Sequence, residues 1–187
     1  MNLGPIRDIV FIRIPVLSAS VGVPTFFSDE DRDNWCWAAC AQMILYKLGD
    51  HNVQQCQIAG RYFQGELCCQ DPESCDRTLS EGQITPMFTK SQIHSSLVGR
   101  HLAFQEIQNE VTEHRPLAAG IKWNGSATLG HLVVLRGWLI VFGSKFVFVN
   151  DPNRGQNRGM VLYDSLVTAY YYGNGSWTRT WREIWSI

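Results

Sequence analysis

The sequence predicts an α+β fold in which a helical first half packs against an antiparallel sheet formed by the second half. Apolar residues recur at helical spacing up to about residue 115, whereas residues 117–185 are mostly β-prone runs separated by glycine-containing turns. The chain has 187 residues, of which 45% are hydrophobic and 12% aromatic. A chain of this length can bury a complete core, so residues 1–187 are expected to form a single domain.

The first half is predicted to contain these segments in order: a strand ending near Leu17, a turn-rich approach, a helix to Lys47, a helix over residues 53–63, a cysteine-rich loop over residues 65–78, and irregular or short helical structure to Leu97. A helix over residues 104–114 follows, because Phe104, Ile107 and Val111 recur at helical spacing before Pro116.

A cysteine lies between two tryptophans where the first helix is predicted to begin. The segment Asn34-Trp35-Cys36-Trp37-Ala38-Ala39-Cys40 follows a polar turn with N-cap character over residues 29–34. The unpaired N–H groups and the macrodipole at such a helix end favour a thiolate over a thiol. Cys36 is therefore the candidate nucleophile, and Cys40, one helical turn further, is expected to face inward. The alternative is that Cys36 is an ordinary buried cysteine.

A cysteine nucleophile needs a base, and His131 is the best placed of the five histidines. His131 follows a glycine-containing loop over residues 124–130 and opens the apolar run 132–138, which predicts a strand buried on both faces. A polar ring at the start of a buried strand needs a partner, and a thiolate across a cleft can serve. The alternative is a histidine that hydrogen-bonds a loop carbonyl.

The third candidate is Asp151, at the end of the strand that follows. Residues 145–150 return antiparallel to the His131 strand after the turn over residues 142–144, which brings Asp151 within reach of the imidazole. A turn-initiating role before Pro152 is the alternative, although both roles can coexist. A cysteine on an early helix with a histidine and an aspartate on a later sheet has the spatial logic of a thiol triad.

These segments together resemble the papain-like cysteine peptidases, particularly a compact bacterial group related to bacteriocin-leader peptidases and to a plant-pathogen effector protease. The resemblance covers most of the chain from about Asn34 onward. It rests on Asn34-Trp35-Cys36-Trp37-Ala38-Ala39, on Gly130-His131-Leu132-Val133-Val134 and on Val149-Asn150-Asp151-Pro152. It implies a papain-like fold with the active site in the cleft between the two halves, and peptide hydrolysis through an acyl-enzyme.

The resemblance also identifies an oxyanion-hole candidate. Enzymes of this type usually have a glutamine about half a dozen residues before the nucleophile, whose amide helps the nucleophile's N–H group bind the oxyanion. Glu30 occupies that position here, and no glutamine precedes Gln42. An ionised carboxylate would repel the oxyanion, and loss of one donor typically costs about 10²- to 10³-fold in turnover. A slow enzyme, a protonated Glu30 or other donor, and binding without cleavage are the alternatives.

Four of the six cysteines lie outside the nucleophile motif: Cys56, Cys68, Cys69 and Cys75. They can form two disulfides in three ways or bind zinc, although the adjacent Cys68 and Cys69 fit a two-knuckle zinc site poorly. Crosslinks between the second helix and the loop over residues 65–78 are favoured over free thiols or metal, because a long polar loop gains most from closure. Persistent disulfides would indicate an oxidising compartment.

The net charge and the hydropathy of the chain limit the classes of molecule that it is expected to bind. The net charge of -1 and the pI near 6.5 argue against a nucleic acid or a membrane surface. No run approaches the roughly 20 apolar residues that span a bilayer, and residues 9–16 are too short and interrupted for a Sec signal. A cytoplasmic location and export by a dedicated route both stay open. The expected partner is a peptide or protein substrate, with no cofactor and no metal.

Two classes of function remain. The intact set of Cys36, His131 and Asp151 favours a cysteine peptidase, and an amidase, deamidase or acyl transferase would use the same acyl-enzyme. The carboxylate of Glu30 favours a latent or catalytically impaired pseudopeptidase that binds peptides. Oligomeric state and substrate preference depend on surfaces that these motifs do not encode.

Overall fold

A computed structural model describes residues 18–20, 27–127, 130–153 and 159–187. The predicted strand up to Leu17 lies outside these residues. The helices are α1 (Cys36–Lys47), α2 (Gln55–Tyr62), α3 (Glu81–Lys90), α4 (Phe104–Thr112), α5 (Tyr163–Thr168) and α6 (Tyr170–Gly173), with a 3₁₀ turn over Pro72–Cys75. The strands are β1 (Ser18–Ser20), β2 (Ile93–Val98), β3 (Leu117–Trp123), β4 (His131–Val141), β5 (Ser144–Asn150), β6 (Gly159–Leu162) and β7 (Gly175–Ser186).

The described strands form one antiparallel sheet in the order β2-β7-β3-β4-β5-β6, and β1 pairs with the second half of β4. The long hairpin β4–β5 is closed at Phe142 and Gly143, whose φ angles are 47° and 82°. Two consecutive positive φ values match the right-handed twist of a hairpin. A bulge between Leu135 and Gly137 then shifts the pairing by one residue, so the turn and the bulge together set the register that carries residue 151 back toward residue 131.

Helices cover both faces of the sheet. In β4, Leu132 and Val134 belong to one hydrophobic cluster, whereas Val133 and Leu135 belong to another. Because alternate residues of a strand point to opposite faces, the two clusters lie on opposite sides. The first cluster contains residues from α1, α2 and α3, and the second contains residues from α4 and α5. The predicted α+β, papain-like class is confirmed, with helices from the second half of the chain on the far face.

Two predicted segments differ from the structure. The stretch that ends at Leu97 is predicted to be irregular or to form short helices. There α3 agrees with the prediction, whereas the strand β2 was not predicted. Residues 163–173, expected among the strands, form α5 and α6. Tyrosine, valine and threonine in that stretch favour strand by propensity, but side-chain packing decides such cases. Leu166 and Tyr170 are buried against the sheet, and this burial overrides the local preference.

Two disulfides crosslink the loop after α2, as the sequence predicts. Cys56 of α2 bonds Cys69, and Cys68 bonds Cys75, which ends the 3₁₀ turn. The two bonds enclose consecutive, overlapping stretches of the loop. The Cys56–Cys69 bond therefore ties this segment to α2, and the Cys68–Cys75 bond closes residues 68–75 into a loop.

Within the described part of the chain, no helix is both long enough and apolar enough to cross a membrane.

Candidate active site

Cys36 is the first residue of α1, as the turn and helical spacing predict. The predicted polar N-cap is wrong, however, because Trp35 occupies the N-cap position and no side chain caps the helix in the described structure. Trp35 is 1% exposed, so burial of its indole determines this position. The first turn of α1 also contains no acidic residue. Its backbone N–H groups therefore form a positive helix end without a competing side-chain acceptor.

The crosslinked loop holds the nucleophile segment from the other side. The indole N–H groups of Trp35 and Trp37 donate to the carbonyl oxygens of Cys75 and Arg77, at 2.8 and 3.0 Å. The backbone N–H of Asn34 donates to Oδ1 of Asp76 at 3.0 Å. The three consecutive loop residues thus fix the three residues around Cys36, and both indoles find partners for otherwise buried donors.

Sheet register brings His131 and Asp151 together. Val134 of β4 lies opposite Asn150 of β5. Val133 therefore lies opposite Asp151. His131, two residues before Val133 in β4, is the diagonal neighbour of Asp151 and lies within reach of its side chain. Nε2 of His131 lies 2.7 Å from Oδ1 of Asp151.

Both members of this pair are buried, with exposed fractions of 7% for His131 and 2% for Asp151. Burial is the largest single influence on the pKa of His131, and it lowers this pKa. The hydrogen bonds to Asp151 and Cys36 and the negative charges of these two residues together outweigh burial and raise the pKa of His131 to about 10. Burial also opposes the carboxylate, yet the hydrogen bond and charge of His131, with other donors, hold the pKa of Asp151 below its usual value. The pair therefore favours imidazolium and carboxylate.

Cys36 and His131 line the same cleft, a cavity of about 230 Å³. Because Nε2 of His131 bonds Asp151, Nδ1 is the nitrogen left for the Cys36 thiol. The cleft walls are largely apolar and include Trp37, Leu79 and Leu132. A thiol and an imidazole that line one open apolar cleft can perform nucleophilic attack and proton transfer on a bound chain.

Cys40 faces inward, as predicted. It is fully buried, and its Sγ lies 3.2 Å from the carbonyl oxygen of Leu132. Burial, followed by the charges of Cys36, Asp151 and Glu30, raises the pKa of Cys40 well above its ordinary value. Cys40 therefore stays a thiol at neutral pH, and the same influences show that Glu30 lies near the catalytic candidates.

Glu30 is held beside the third candidate residue. Its backbone N–H donates to the carbonyl oxygen of Pro152 at 2.9 Å, and the residue is 8% exposed. On the other side, the buried amide of Gln55 donates to the carbonyl oxygen of Asp29 at 2.7 Å and accepts from the N–H of Asp31 at 2.9 Å. The side-chain amide of Gln55 thus fixes the backbone on both sides of Glu30.

Two features of the site were not found by sequence reasoning. The Tyr170 hydroxyl donates to Oδ2 of Asp151 at 2.6 Å, and the indole of Trp123 stacks on the His131 ring with a centroid distance of 5.8 Å. A Cβ at Gly130 would lie 2.1 Å from the Trp123 ring, so this glycine is needed for the stacking. The run of tyrosines at residues 170–172 was the sequence feature that could have indicated the Tyr170 contact, but its composition favours a strand.

Among the described residues, no cluster of histidine, cysteine or acidic side chains has a geometry that could hold a metal ion.

Comparison with known proteins supplies independent information about the family and the fold of this chain. The sequence profile of the Peptidase_C39 like family matches residues 18–182. No curated protein matches the chain in sequence.

Two solved structures are similar in fold. The peptidase domain of Streptococcus ComA, a bifunctional ABC transporter involved in a quorum-sensing pathway, has a TM-score of 0.55 and 8% identity, over 83% of this chain and 96% of that domain. A protein from Bacillus anthracis described as a C39-like peptidase has a TM-score of 0.55 and 14% identity, over 92% of this chain and all of that one (100%). At such identities the likeness concerns the fold alone.

Proposed function

Because the chain belongs to the Peptidase_C39 like family and is thus a papain-like cysteine peptidase, we propose that it hydrolyses peptide bonds through Cys36, His131 and Asp151. The family match confirms the predicted resemblance and favours peptide hydrolysis over the pseudopeptidase, amidase and acyl transferase alternatives. A peptide or protein is the corresponding substrate. The observation that carries the residue assignment is the 2.7 Å contact between His131 and Asp151 beside Cys36.

In the proposed reaction, the Cys36 thiol gives its proton to Nδ1 of His131, and its Sγ atom attacks the carbonyl carbon of the scissile peptide bond. His131 gives its proton from Nδ1 to the leaving amine, so that the C–N bond breaks and a thioester forms. Neutral His131 then takes a proton from water as the water oxygen attacks the thioester carbonyl. Breakage of the C–S bond releases the carboxylic product and restores Cys36 with His131.

Asp151 orients the imidazole for these transfers. Because its Oδ1 accepts from Nε2, the proton on that nitrogen stays in place, and Nδ1 alone exchanges protons with the substrate side. The carboxylate also stabilises the imidazolium, which is present before the leaving amine is protonated and forms again when water is deprotonated. This role requires a fixed, ionised carboxylate, and the low pKa of Asp151 supports it.

The oxyanion would be bound at the first turn of α1. The Cys36 N–H is the first donor, and no side chain caps that turn in the described structure. Glu30, held between Pro152 and the Gln55 amide, is the candidate for the second contact. Glu30 donates only when it is protonated, so we expect slower hydrolysis at neutral pH than an amide at this position would allow.

The cleft also suggests a substrate preference. Trp37, Leu79, Ile84 and Leu132 line it beside Cys36, and the cavity can accommodate one medium-sized side chain. Burial of an apolar side chain there would gain roughly 1.5–3 kcal/mol of binding free energy. We therefore infer that an apolar residue of the substrate docks close to the scissile bond.

The test is digestion of a peptide library by the wild type, Cys36→Ala and Cys40→Ala, with products identified by mass spectrometry. Cys36→Ala should cleave nothing, whereas Cys40→Ala, whose thiol is buried away from the cleft, should retain most of the activity. Iodoacetamide at pH 6 should modify Cys36 selectively. Cleavage by Cys36→Ala at the wild-type rate would refute the assignment, and bound but uncleaved peptides would identify a binding protein.

A further inference from the structure

Tyr170 is the polar neighbour of Asp151 on the side away from His131. The residue is 3% exposed, and its hydroxyl lies 2.6 Å from Oδ2 of Asp151. Oδ1, the other carboxylate oxygen, accepts from Nε2 of His131 at 2.7 Å and from the backbone N–H of Asn153 at 3.0 Å. A carboxylate can rotate about its terminal bond, but contacts of this kind on both oxygens leave it one orientation.

The backbone that presents Tyr170 is unusual. Tyr171 and Tyr172, which follow it directly, have φ angles of 53° and 55°. Left-handed backbone is uncommon for bulky residues and is found where surrounding contacts impose it, often at functional sites. Here it reverses the chain immediately after Tyr170, whose side chain stays directed at the carboxylate.

The end of this turn is fastened to the sheet. Asn124, the residue after β3, donates through its side chain to the carbonyl oxygen of Gly173 at 2.7 Å and through its backbone to that of Asn174 at 2.8 Å. The preceding residue, Trp123, contacts the ring of Tyr171 and stacks on His131. The same turn therefore supports both members of the histidine–aspartate pair.

From this geometry we propose that Tyr170 is a positioning residue of the active site, whose hydroxyl holds Oδ2 of Asp151 so that Oδ1 stays directed at His131. The proposal rests on the proposed function, because a fixed Asp151 matters only if His131 transfers protons. Tyr170 touches no reacting atom and acts through Asp151. Packing alone does not require the hydroxyl, because a phenylalanine ring would fill the same space.

The test compares four variants with the wild type: Tyr170→Phe, Asp151→Asn, the double variant of these two, and Tyr172→Phe. Tyr172 is 87% exposed and serves as the matched control for loss of a tyrosine hydroxyl. The first readout is the rate at which iodoacetamide alkylates Cys36 between pH 4 and pH 10, which needs no peptide hydrolysis. The second is kcat and KM on one cleavable peptide.

Tyr170→Phe should lower kcat about tenfold with little change in KM, because a hydrogen bond to a buried charge is lost and substrate contacts are kept. It should also lower the alkylation rate at pH 6 and move the acid limb of the profile to higher pH, since the carboxylate has lost a donor. In the Asp151→Asn background the same substitution should change either rate by less than about twofold, because its route of action is already gone. Tyr172→Phe should match the wild type.

Several results would overturn the proposal: wild-type kcat and alkylation in Tyr170→Phe, an undiminished effect in the Asp151→Asn background, or an equal effect from Tyr172→Phe. If Tyr170→Phe does not fold, the double variant decides. If the double variant folds, the loss of stability in Tyr170→Phe comes from the Asp151 carboxylate that has lost its donor, as proposed. If the double variant is unfolded, Tyr170 acts through packing. Coupled changes in alkylation without peptide cleavage by the wild type would refute the proposed function, while the positioning of Asp151 by Tyr170 would still be shown by its effect on Cys36 reactivity.

Discussion

Cys36, the proposed nucleophile, is held by side chains and a crosslinked loop, whereas His131, the proposed base, and Asp151 are held by the register of a sheet. Around Cys36, the fixed points are the indoles of Trp35 and Trp37, which bond loop carbonyl oxygens next to the Cys68–Cys75 disulfide. Around His131, β4 pairs with β3 on one side and β5 on the other. Backbone ladders thus position His131, and hydrogen bonds to a disulfide-crosslinked loop position Cys36.

The difference follows from the kinds of element involved. A strand in the middle of a sheet has hydrogen bonds on both edges, so its first residue is already fixed in space. The first turn of a helix has no such partners, and its orientation depends on what contacts it. The nucleophile side should therefore be sensitive to loop crosslinking, and the base side should be sensitive mainly to its own side chains.

The largest effect should come from the base side. We expect His131→Ala to reduce kcat by up to about 10⁶-fold and Asp151→Asn by a smaller factor, on the order of 10⁴, because the orienting group is partly replaceable. Asp151 contributes to the raised pKa of His131, so the alkaline limb of kcat/KM, expected near pH 10 in the wild type, should move to lower pH in Asp151→Asn. Steady-state kinetics across pH measure both effects. Small, equal losses in both variants would contradict the proposed roles.

The nucleophile side can be tested through its crosslinks. Replacing Cys68 and Cys75 by serine should lower the free energy of unfolding by about 2 to 3 kcal/mol, as expected for a short closed loop. Activity should also fall by about tenfold, because small displacements of a nucleophile are costly and Cys75 anchors the Trp35 indole. Urea unfolding and peptide hydrolysis measure the two effects.

The other disulfide supplies the control for that experiment. Cys56→Ser with Cys69→Ser should destabilise the fold by a similar amount, yet affect hydrolysis less, since the hydrogen bonds described above between the loop and the nucleophile segment involve Cys75, Asp76 and Arg77 and neither of these cysteines. Equal losses of activity from both pairs would mean that overall stability, and not the anchoring of Trp35, explains the effect.

The remaining expected effect is a gain. Glu30→Gln should raise turnover by about tenfold at neutral pH, part of what one oxyanion donor can supply. The advantage should shrink in acid, where a protonated Glu30 also donates. Asp33→Asn, which removes an exposed carboxylate in the same turn, is the matched control. An unchanged rate and pH dependence in Glu30→Gln would mean that this side chain points away from the oxyanion.

Local signals were sufficient for much of the site. The position of Cys36 at a helix start followed from a polar turn and helical spacing, and the opening of a strand at His131 followed from an apolar run after a glycine-containing loop. The return of the chain toward the imidazole followed from one tight turn, but the register at Asp151 did not, because a bulge between Leu135 and Gly137 shifts the pairing by one residue. Crosslinking of the loop after α2 was also predictable, since loop closure depends on chain length and cysteine position.

The rest depended on contacts between residues distant in sequence. The hydroxyl of Tyr170 reaches Asp151 across 19 residues, and the amide of Gln55 reaches Asp29 across 26. No spacing rule encodes such contacts, because they require α6 to be packed on β7 and α2 to be packed on α1 before the groups meet. The sequence by itself determined which residues open and close the elements at the cleft, since turns and periodicity act locally. Only the tertiary structure decided what holds them there, since burial of Tyr170 and Trp35 depends on the whole core.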